Sequence, residues 1–187
     1  MSTSKPPVTR RFAPASLLFG NFVVGTSVLA PTGMLAELSE GLQVTVREAS
    51  LLVTFGAVVL CIGTPLVSWL TSQMDRRVLL VGSLGIVALA QIASAFAPSY
   101  GALLALRLLM LAAAAPFTPQ AAGVVGLILP LERRASAIAY IFLGWSLAAA
   151  AGLPLMTAIA SRFGWPYCFV LVAIIAAISC ALLAWRL

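Results

Sequence analysis

Side chains that can do chemistry are few in this chain and lie far apart. Among its 187 residues there is no histidine, and the three cysteines (Cys61, Cys168 and Cys180) stand singly inside apolar runs. Nucleophile triads, metal clusters and phosphate-binding loops need several such residues at defined spacings, and none of those patterns occurs. We therefore predict no enzyme, no cofactor and no metal site, and the cysteines are typical of small core residues.

Arg107 is a charged residue well inside an apolar run, LLALRLLM at residues 103–110. Burying such a charge in hydrocarbon costs at least about 2.5–3.5 kcal/mol on insertion scales. Its side chain either snorkels to the headgroups or faces a water-filled cavity, where it binds anionic groups or steers a proton carrier. The cost favours the cavity interpretation.

Other polar residues interrupt the apolar runs near Arg107. In PFTPQ, residues 116–120, the prolines Pro116 and Pro119 each remove a backbone donor and predict a bend with exposed carbonyls. The neighbouring hydroxyl and amide groups then either line a cavity or bond one helix to the next. The set that we predict to line a substrate cavity is Asn21, Thr26, Arg107, Thr118 and Gln120.

Composition identifies the elements that must position these residues. Hydrophobic residues make up 62% of the chain and charged residues 9%, with a mean hydropathy of +1.10. A soluble domain has about 45–50% apolar and about 25% charged residues, and each apolar run here approaches the 17–25 residues that cross a bilayer. We predict an all-α membrane protein with a tail at 1–14 and a six-helix unit at 15–187. The predicted helices are about 15–37, 49–71, 78–97, 102–127, 137–161 and 167–185.

Lysine and arginine predict the orientation in the membrane. With the N-terminus inside, the cytoplasmic segments hold eight basic residues, and the external segments hold only Arg47 and Arg162. Cytoplasmic loops carry such an excess, so both termini are predicted to be cytoplasmic. The net charge of +6 then reflects topology and does not predict a nucleic-acid partner.

Two stretches of the chain resemble each other at a separation of 89 positions. GTPLVSWLTSQMDRR at 63–77 recurs as GLPLMTAIASRFGWP at 152–166, so that Gly63 and Pro65 correspond to Gly152 and Pro154. The first copy ends on the cytoplasmic side and the second on the external side. Unless the match arises by chance, helices one to three and four to six form two inverted three-helix repeats, the architecture of half a major facilitator transporter.

The chain resembles the N-terminal half of major facilitator superfamily transporters, above all bacterial drug/sugar-efflux proton antiporters of the arabinose-efflux permease type. The segments that carry the resemblance are FVVGTSVLAPTGMLAEL, LTSQMDRRVLLVG, LLALRLL with APFTPQAA, and ILPLERRASAIAYIFLGWSLAAAAGLPLMTAIASRFGW. It implies a multi-pass protein of a bacterial inner membrane and a helix-five motif that seals the cavity. The implied gating-loop residues are Asp75, Arg76, Arg77, Glu132, Arg133 and Arg134, and the implied bending and packing residues are Gly63, Pro65, Pro116, Pro119, Gly144, Gly152 and Pro154.

The chain also departs from the pattern of that family. In the loop after helix two, Ser68 and Ser72 stand where the family has Gly and Asp, and the acid is shifted to Asp75. In helix one, Val28 stands where relatives often have an acidic residue. No Asp or Glu lies in the interior of a predicted helix, so the sequence gives no support for proton coupling through this half.

The expected function is therefore small-molecule transport through alternating access in the lipid bilayer, and the resemblance implies efflux. A complete transporter of this family has two six-helix halves. The second half is either another copy of this chain or a missing C-terminal half of a longer chain. The alternative is a membrane scaffold or interaction subunit that does not transport.

Overall fold

Residues 9–186 are described in the structure, a computed structural model, and their regular elements are all helical. Six helices are long and apolar enough to cross a membrane, and we call them spans 1–6 in chain order. The helices are α1 (Thr9–Leu29), α2 (Leu35–Leu42), α3 (Val46–Leu70), α4 (Arg76–Ala95), α5 (Tyr100–Ala114), α6 (Phe117–Ile128), α7 (Leu131–Leu147), α8 (Leu153–Phe163) and α9 (Trp165–Arg186).

Three of the six spans are built from two helices each. Span 1 joins α1 to α2 through a 3-10 segment, Ala30–Met34, and span 5 joins α7 to α8 through a π-helical segment, Ala148–Gly152. Span 4 joins α5 to α6, while α3, α4 and α9 form spans 2, 3 and 6. Pro31 is the second residue of the 3-10 segment, and Pro154 is the second residue of α8. Because proline has no backbone N–H to donate to the preceding turn, the regular α-helical ladder is interrupted at both places.

Polar caps fix where three spans begin. Thr45 and Glu48 form a capping box at the start of α3, and the Ser99 hydroxyl accepts the Ala102 N–H at the start of α5. The Asp75 carboxylate accepts the N–H groups of Arg77 and Val78, at 2.8 and 3.2 Å, and caps the adjoining helix α4. An oxygen at this position satisfies donors that have no partner within the helix.

The helix ends differ from the apolar runs at three places. Span 1 continues to Leu42, past the predicted end at residue 37, and span 5 already begins at Leu131. Residues 9–14, which we predicted as tail, belong to the first turns of α1, while the rest of that predicted tail, residues 1–8, lies outside the described residues. Charged residues in these extra turns lowered the local hydropathy of the sequence, but they did not prevent a helix.

The break in span 4 occurs once, although two prolines predicted two interruptions. Helix α5 ends at Ala114 and α6 begins at Phe117, so Pro116 lies in the break. Pro119 falls in the first turn of α6, where backbone N–H groups have no intrahelical acceptor in any case. A proline there costs no hydrogen bond.

The packing of the spans is consistent with the inverted repeat. Span 1 packs on spans 5 and 6, span 4 packs on spans 2 and 3, and span 3 lies along span 6. Exchanging spans 1 with 4, 2 with 5 and 3 with 6 leaves this list unchanged. The two three-helix units therefore make equivalent contacts with each other.

Glycines show the same repeat at the level of residues. A Cβ on Gly144 would lie 2.5 Å from the Leu18 carbonyl oxygen and 2.7 Å from the Phe22 nitrogen. A Cβ on Gly56 would lie 2.7 Å from Leu111 and 3.7 Å from Arg107. Leu18 precedes Arg107 by 89 positions, and Phe22 precedes Leu111 by 89 positions.

A second pair of glycine contacts keeps that register. Gly152 lies against Thr26 in span 1, and Gly63 lies against Ala115 in span 4, with both partners again 89 positions apart. Gly63 and Gly152 are 89 positions apart, and Gly56 and Gly144 are 88 apart. Contacts that recur at nearly the same separation reflect a structural repeat and are not explained by a chance match of Gly-x-Pro-Leu.

Candidate functional site

A cavity of about 330 Å³ lies near the middle of four spans. Spans 1 and 4 contribute Val24, Ala114, Ala115, Thr118 and Pro119, and spans 2 and 5 contribute Leu60, Thr64, Phe142 and Trp145. Both three-helix units therefore form its wall. Its lining is apolar apart from two threonine hydroxyls and one indole, and it contains no ionisable side chain.

A chain of hydrogen bonds fixes the polar side of this cavity. The Trp145 indole donates to the Thr118 hydroxyl at 3.3 Å, and that hydroxyl donates to the Asn21 side-chain oxygen at 2.8 Å. The Asn21 amide then donates to the Ile141 carbonyl at 3.1 Å. Asn21 is fully buried, and Thr118 and Trp145 are partly buried, so polar contacts join spans 1, 4 and 5 at the cavity wall.

The second cavity threonine is unlike the first. Thr64 in span 2 makes no hydrogen bond with the described residues 9–186. Its hydroxyl is therefore available as both donor and acceptor on the cavity wall.

Arg107 lies outside this cavity and is paired with backbone. Its guanidinium donates to the carbonyls of Leu52, Ser27 and Val28, at 3.0, 3.2 and 2.7 Å. The residue is only 3% exposed, and no carboxylate among residues 9–186 pairs with it. We call this arrangement the carbonyl clamp; it joins spans 1, 2 and 4.

The local backbone explains why two of these carbonyls, those of Ser27 and Val28, are free. In a continuous α-helix the Ser27 carbonyl would accept the N–H of residue 31, but residue 31 is a proline. Val28 would bond Thr32, which lies in the 3-10 segment where hydrogen bonds close over three residues. Arginine therefore supplies donors at the place where the helix has none, and Gly56 leaves room for it in span 2.

Small residues of span 5 allow a close approach to span 1. Gly144 and Gly152 are the closest points, and Gly25 of span 1 lies against Ala148 between them. Thr26 is buried beside Gly152, and its hydroxyl has no partner within the described chain. The predicted packing face is thus where spans 1 and 5 cross, at the π-helical segment.

Sequence comparisons assign the chain to a known protein family. The Major Facilitator Superfamily profile matches residues 17–187. This chain belongs to the major facilitator superfamily. It is a multi-pass protein of the inner membrane by its six apolar helices and its bacterial relatives.

Similar proteins include bacterial transporters, two of which are named for different substrates. Inner membrane transport protein YdhP of Escherichia coli K12 is 32% identical over 164 residues, which cover 88% of this chain and 42% of that protein. A chloramphenicol efflux pump of Mycobacterium tuberculosis is 31% identical, covering 88% and 40%. A probable sugar efflux transporter of Mannheimia succiniciproducens is 29% identical, covering 87% and 41%. The major facilitator chain thus spans about two fifths of the length of these relatives.

The predicted cavity residues lie in three kinds of position in this major facilitator chain. Thr118 lines the cavity and Asn21 holds it in place, whereas Thr26 and Arg107 lie in the contacts between spans. Gln120 is half-buried and does not line the cavity. The transport roles that we assigned to all five remain predictions.

The predicted loop and bending residues lie mostly where spans end or break. Arg77 donates to the Ala184 carbonyl of span 6, Arg134 donates to the Leu129 carbonyl, and Arg76 lies against Gly123. Glu132 and Arg133 are exposed beside Arg134. Pro65 is exposed inside α3, Pro116 lies in the span 4 break, and Pro154 begins α8. The gating role of these residues is untested.

Sequence reasoning missed Thr64, Phe142 and Trp145 in the cavity, and the carbonyl acceptors of Arg107. Apolar and aromatic wall residues have no signature in a chain that is apolar throughout. The one available signal for the clamp was Pro31, which follows Ser27 by four positions and so predicts a free carbonyl at Ser27.

Proposed function

We propose that this chain forms one six-helix half of a transporter that exports a small molecule by alternating access. The observation that carries the proposal is the cavity near the middle of spans 1, 2, 4 and 5, which both repeat units line. Transporters built from inverted repeats bind their substrates near the bilayer midplane at the repeat interface. Efflux is the direction named for two of the relatives.

The exposed faces of spans 2 and 5 support a partner half. In the most apolar stretches of spans 2 and 5, 17% and 22% of the residues are buried. In the corresponding stretches of the other four spans, 39% or more of the residues are buried. Both spans also line the cavity, through Thr64 and Trp145 among others. A second six-helix unit placed on these faces would close the cavity on its open side. That unit is either another copy of the chain or the C-terminal half of a longer protein.

Exposed alanines within span 5 support the same position for the partner. Ala149, Ala150 and Ala151 form the exposed side of the π-helical segment. Small residues let a neighbouring helix approach closely, whereas lipid contact requires no such surface.

The orientation that we propose has both termini in the cytoplasm. Asp75, Arg76 and Arg77 would then lie at the cytoplasmic surface with Glu132, Arg133 and Arg134, and could gate the rocking of one half against the other. The basic excess of these segments supports that placement.

Transport in proteoliposomes tests the proposed function. The chain is purified from membranes that also contain the second half. The mass of the purified particle is measured before reconstitution. Counterflow of labelled chloramphenicol or of a labelled sugar such as arabinose is expected, because two relatives are named for the efflux of chloramphenicol and of sugar. A particle that holds two six-helix units and moves neither probe would favour the scaffold alternative.

A further inference from the structure

We propose that the cavity binds the uncharged, mainly apolar part of an amphipathic aromatic molecule, with Thr64 as the specificity-determining contact. The proposal rests on the proposed transport function and names the substrate class of that same cavity. It follows from the charge, polarity and hydrogen-bond balance of the cavity wall.

The absence of charge in the wall excludes ionic substrates as good ligands of this half. None of the cavity residues is ionisable, and Arg107 already donates to three carbonyls at another site. A charged group in such a cavity would lose its hydration without gaining a counter-ion. The wall therefore selects for uncharged molecules.

The scarcity of polar groups in the wall argues against a sugar. A monosaccharide carries several hydroxyls, and each one that is buried without a partner costs free energy. The Thr118 hydroxyl already donates to Asn21 and accepts from Trp145, so it has one lone pair left. Too few polar groups remain to satisfy the ring of hydroxyls, whereas one or two polar groups of a ligand can be satisfied.

Thr64 is the group that remains free for this purpose. Its hydroxyl makes no hydrogen bond with residues 9–186 and lies on the same cavity wall as Thr118. The remaining wall includes the rings of Phe142 and Trp145, on which an aromatic ligand can stack. A carbonyl, nitro or hydroxyl group of the ligand would bond Thr64 while its ring lies between these side chains.

Equilibrium binding in lipid nanodiscs tests this assignment without requiring transport. The probes are chloramphenicol as an uncharged aromatic amide, arabinose as an uncharged polyol, and tetraphenylphosphonium as a lipophilic cation. Chloramphenicol is expected to bind at least about tenfold more tightly than either other probe, a factor that corresponds to about 1.4 kcal/mol. Binding of arabinose or of the cation with equal or higher affinity, or no binding of chloramphenicol, would overturn the proposal.

Variants of the threonine hydroxyls separate a specific contact from a general effect. Thr64→Val keeps the side-chain shape and should weaken chloramphenicol binding about tenfold, while Thr64→Ser keeps the hydroxyl and should restore it. Thr54→Val is the matched control, because Thr54 lies on the same helix α3 but is exposed outside the cavity. Equal affinities for Thr64→Val and Thr54→Val would rule out Thr64 as the contact. If the wild-type protein binds chloramphenicol but shows no counterflow in proteoliposomes, the binding site is supported and only the transport function is contradicted.

Discussion

Arg107 illustrates how a charge is accommodated in an apolar region without an acidic partner. Its three acceptors are backbone carbonyls, and two of them are freed by Pro31 and the 3-10 segment that follows. Hydrogen bonds to a charged donor are stronger than neutral ones, so the clamp offsets much of the desolvation cost. The arginine is thus explained by the backbone around it before any role in transport is considered.

Removing the clamp should destabilise the chain. Arg107→Ala leaves the Ser27 and Val28 carbonyls without donors and should lower stability by about 2–4 kcal/mol, since hydrogen bonds to charged groups contribute about 1.5–3 kcal/mol each. Arg107→Lys retains a cation that cannot reach three divergent acceptors and should fall in between. The measurement is the melting temperature of the detergent-solubilised protein, with transport assayed on the fraction that remains folded.

The proline that frees the carbonyl provides a control for this interpretation. Pro31→Ala restores the N–H that bonds the Ser27 carbonyl in a continuous helix. Arg107→Ala should therefore cost less in the Pro31→Ala background than in the wild type, by about 1 kcal/mol in a double-mutant cycle. Strictly additive effects of the two substitutions would show that the clamp does not depend on the missing donor.

Asn21 is expected to matter for the position of the cavity wall. Asn21→Leu keeps the volume but deprives the Thr118 hydroxyl of its acceptor, and should cost about 0.5–2 kcal/mol as an interhelical hydrogen bond in a membrane. The Trp145 fluorescence should shift as well, because Trp145 donates to Thr118. Gln91→Leu is the control: Gln91 is also buried, but its Nε2 finds no partner within the described residues. An equal loss of stability in both variants would mean that the loss reflects burial alone.

At the scale of helices, the sequence predicted the spans and their repeat but not the way in which they touch. Long apolar runs fix the number of spans, and Gly63 and Gly152 set a register of 89 positions. The residues that contact Gly144 and Gly56 keep this register, although these two glycines are themselves 88 positions apart. The π-helical segment had no such signal, and the two prolines of span 4 predicted a bend without showing that the helix breaks only at Pro116. They depend on which backbone groups find partners across helices, and that is a property of packing.

The crossing of spans 1 and 5 can be tested with one methyl group. Gly144→Ala would place its Cβ against backbone atoms of Leu18 and Phe22, which cannot move aside as a flexible side chain can. The two spans would separate, with an expected cost of about 1–3 kcal/mol for overpacking. Gly82→Ala is the matched control in α4, where nothing lies within 4 Å of the added Cβ, and it should be neutral or stabilising. Comparable melting temperatures for the two variants would contradict the close contact.

Apart from Arg107 in span 4, the charged residues of the described part of the chain lie near the span ends, and the uncharged cavity lies near the middle of the spans. This distribution and the repeat make a joint prediction about topology. Ser72 and Ser161 are exposed, correspond in the repeat and should lie on opposite sides of the membrane. In a background without native cysteines, Ser72→Cys should react with a membrane-impermeant maleimide only after the cytoplasmic side is opened. Ser161→Cys should react in intact cells; labelling of both from one side would exclude the inverted repeat.

Assembly is decided by the surfaces that the six spans leave open. Ala150 lies on the exposed side of span 5 beside the cavity spans, where a second half would pack closely. Ala150→Phe should therefore leave the six-helix unit folded, because the side chain points away from its core, yet prevent the second half from approaching. The expected result is a particle of lower mass and at least about tenfold slower transport, since interfaces tolerate added bulk poorly. Ala177→Phe is the matched control, an exposed alanine on span 6, which lines no part of the cavity, and it should keep the wild-type mass and rate. If Ala150→Phe behaves like Ala177→Phe in both measurements, span 5 faces lipid and the partner half lies elsewhere.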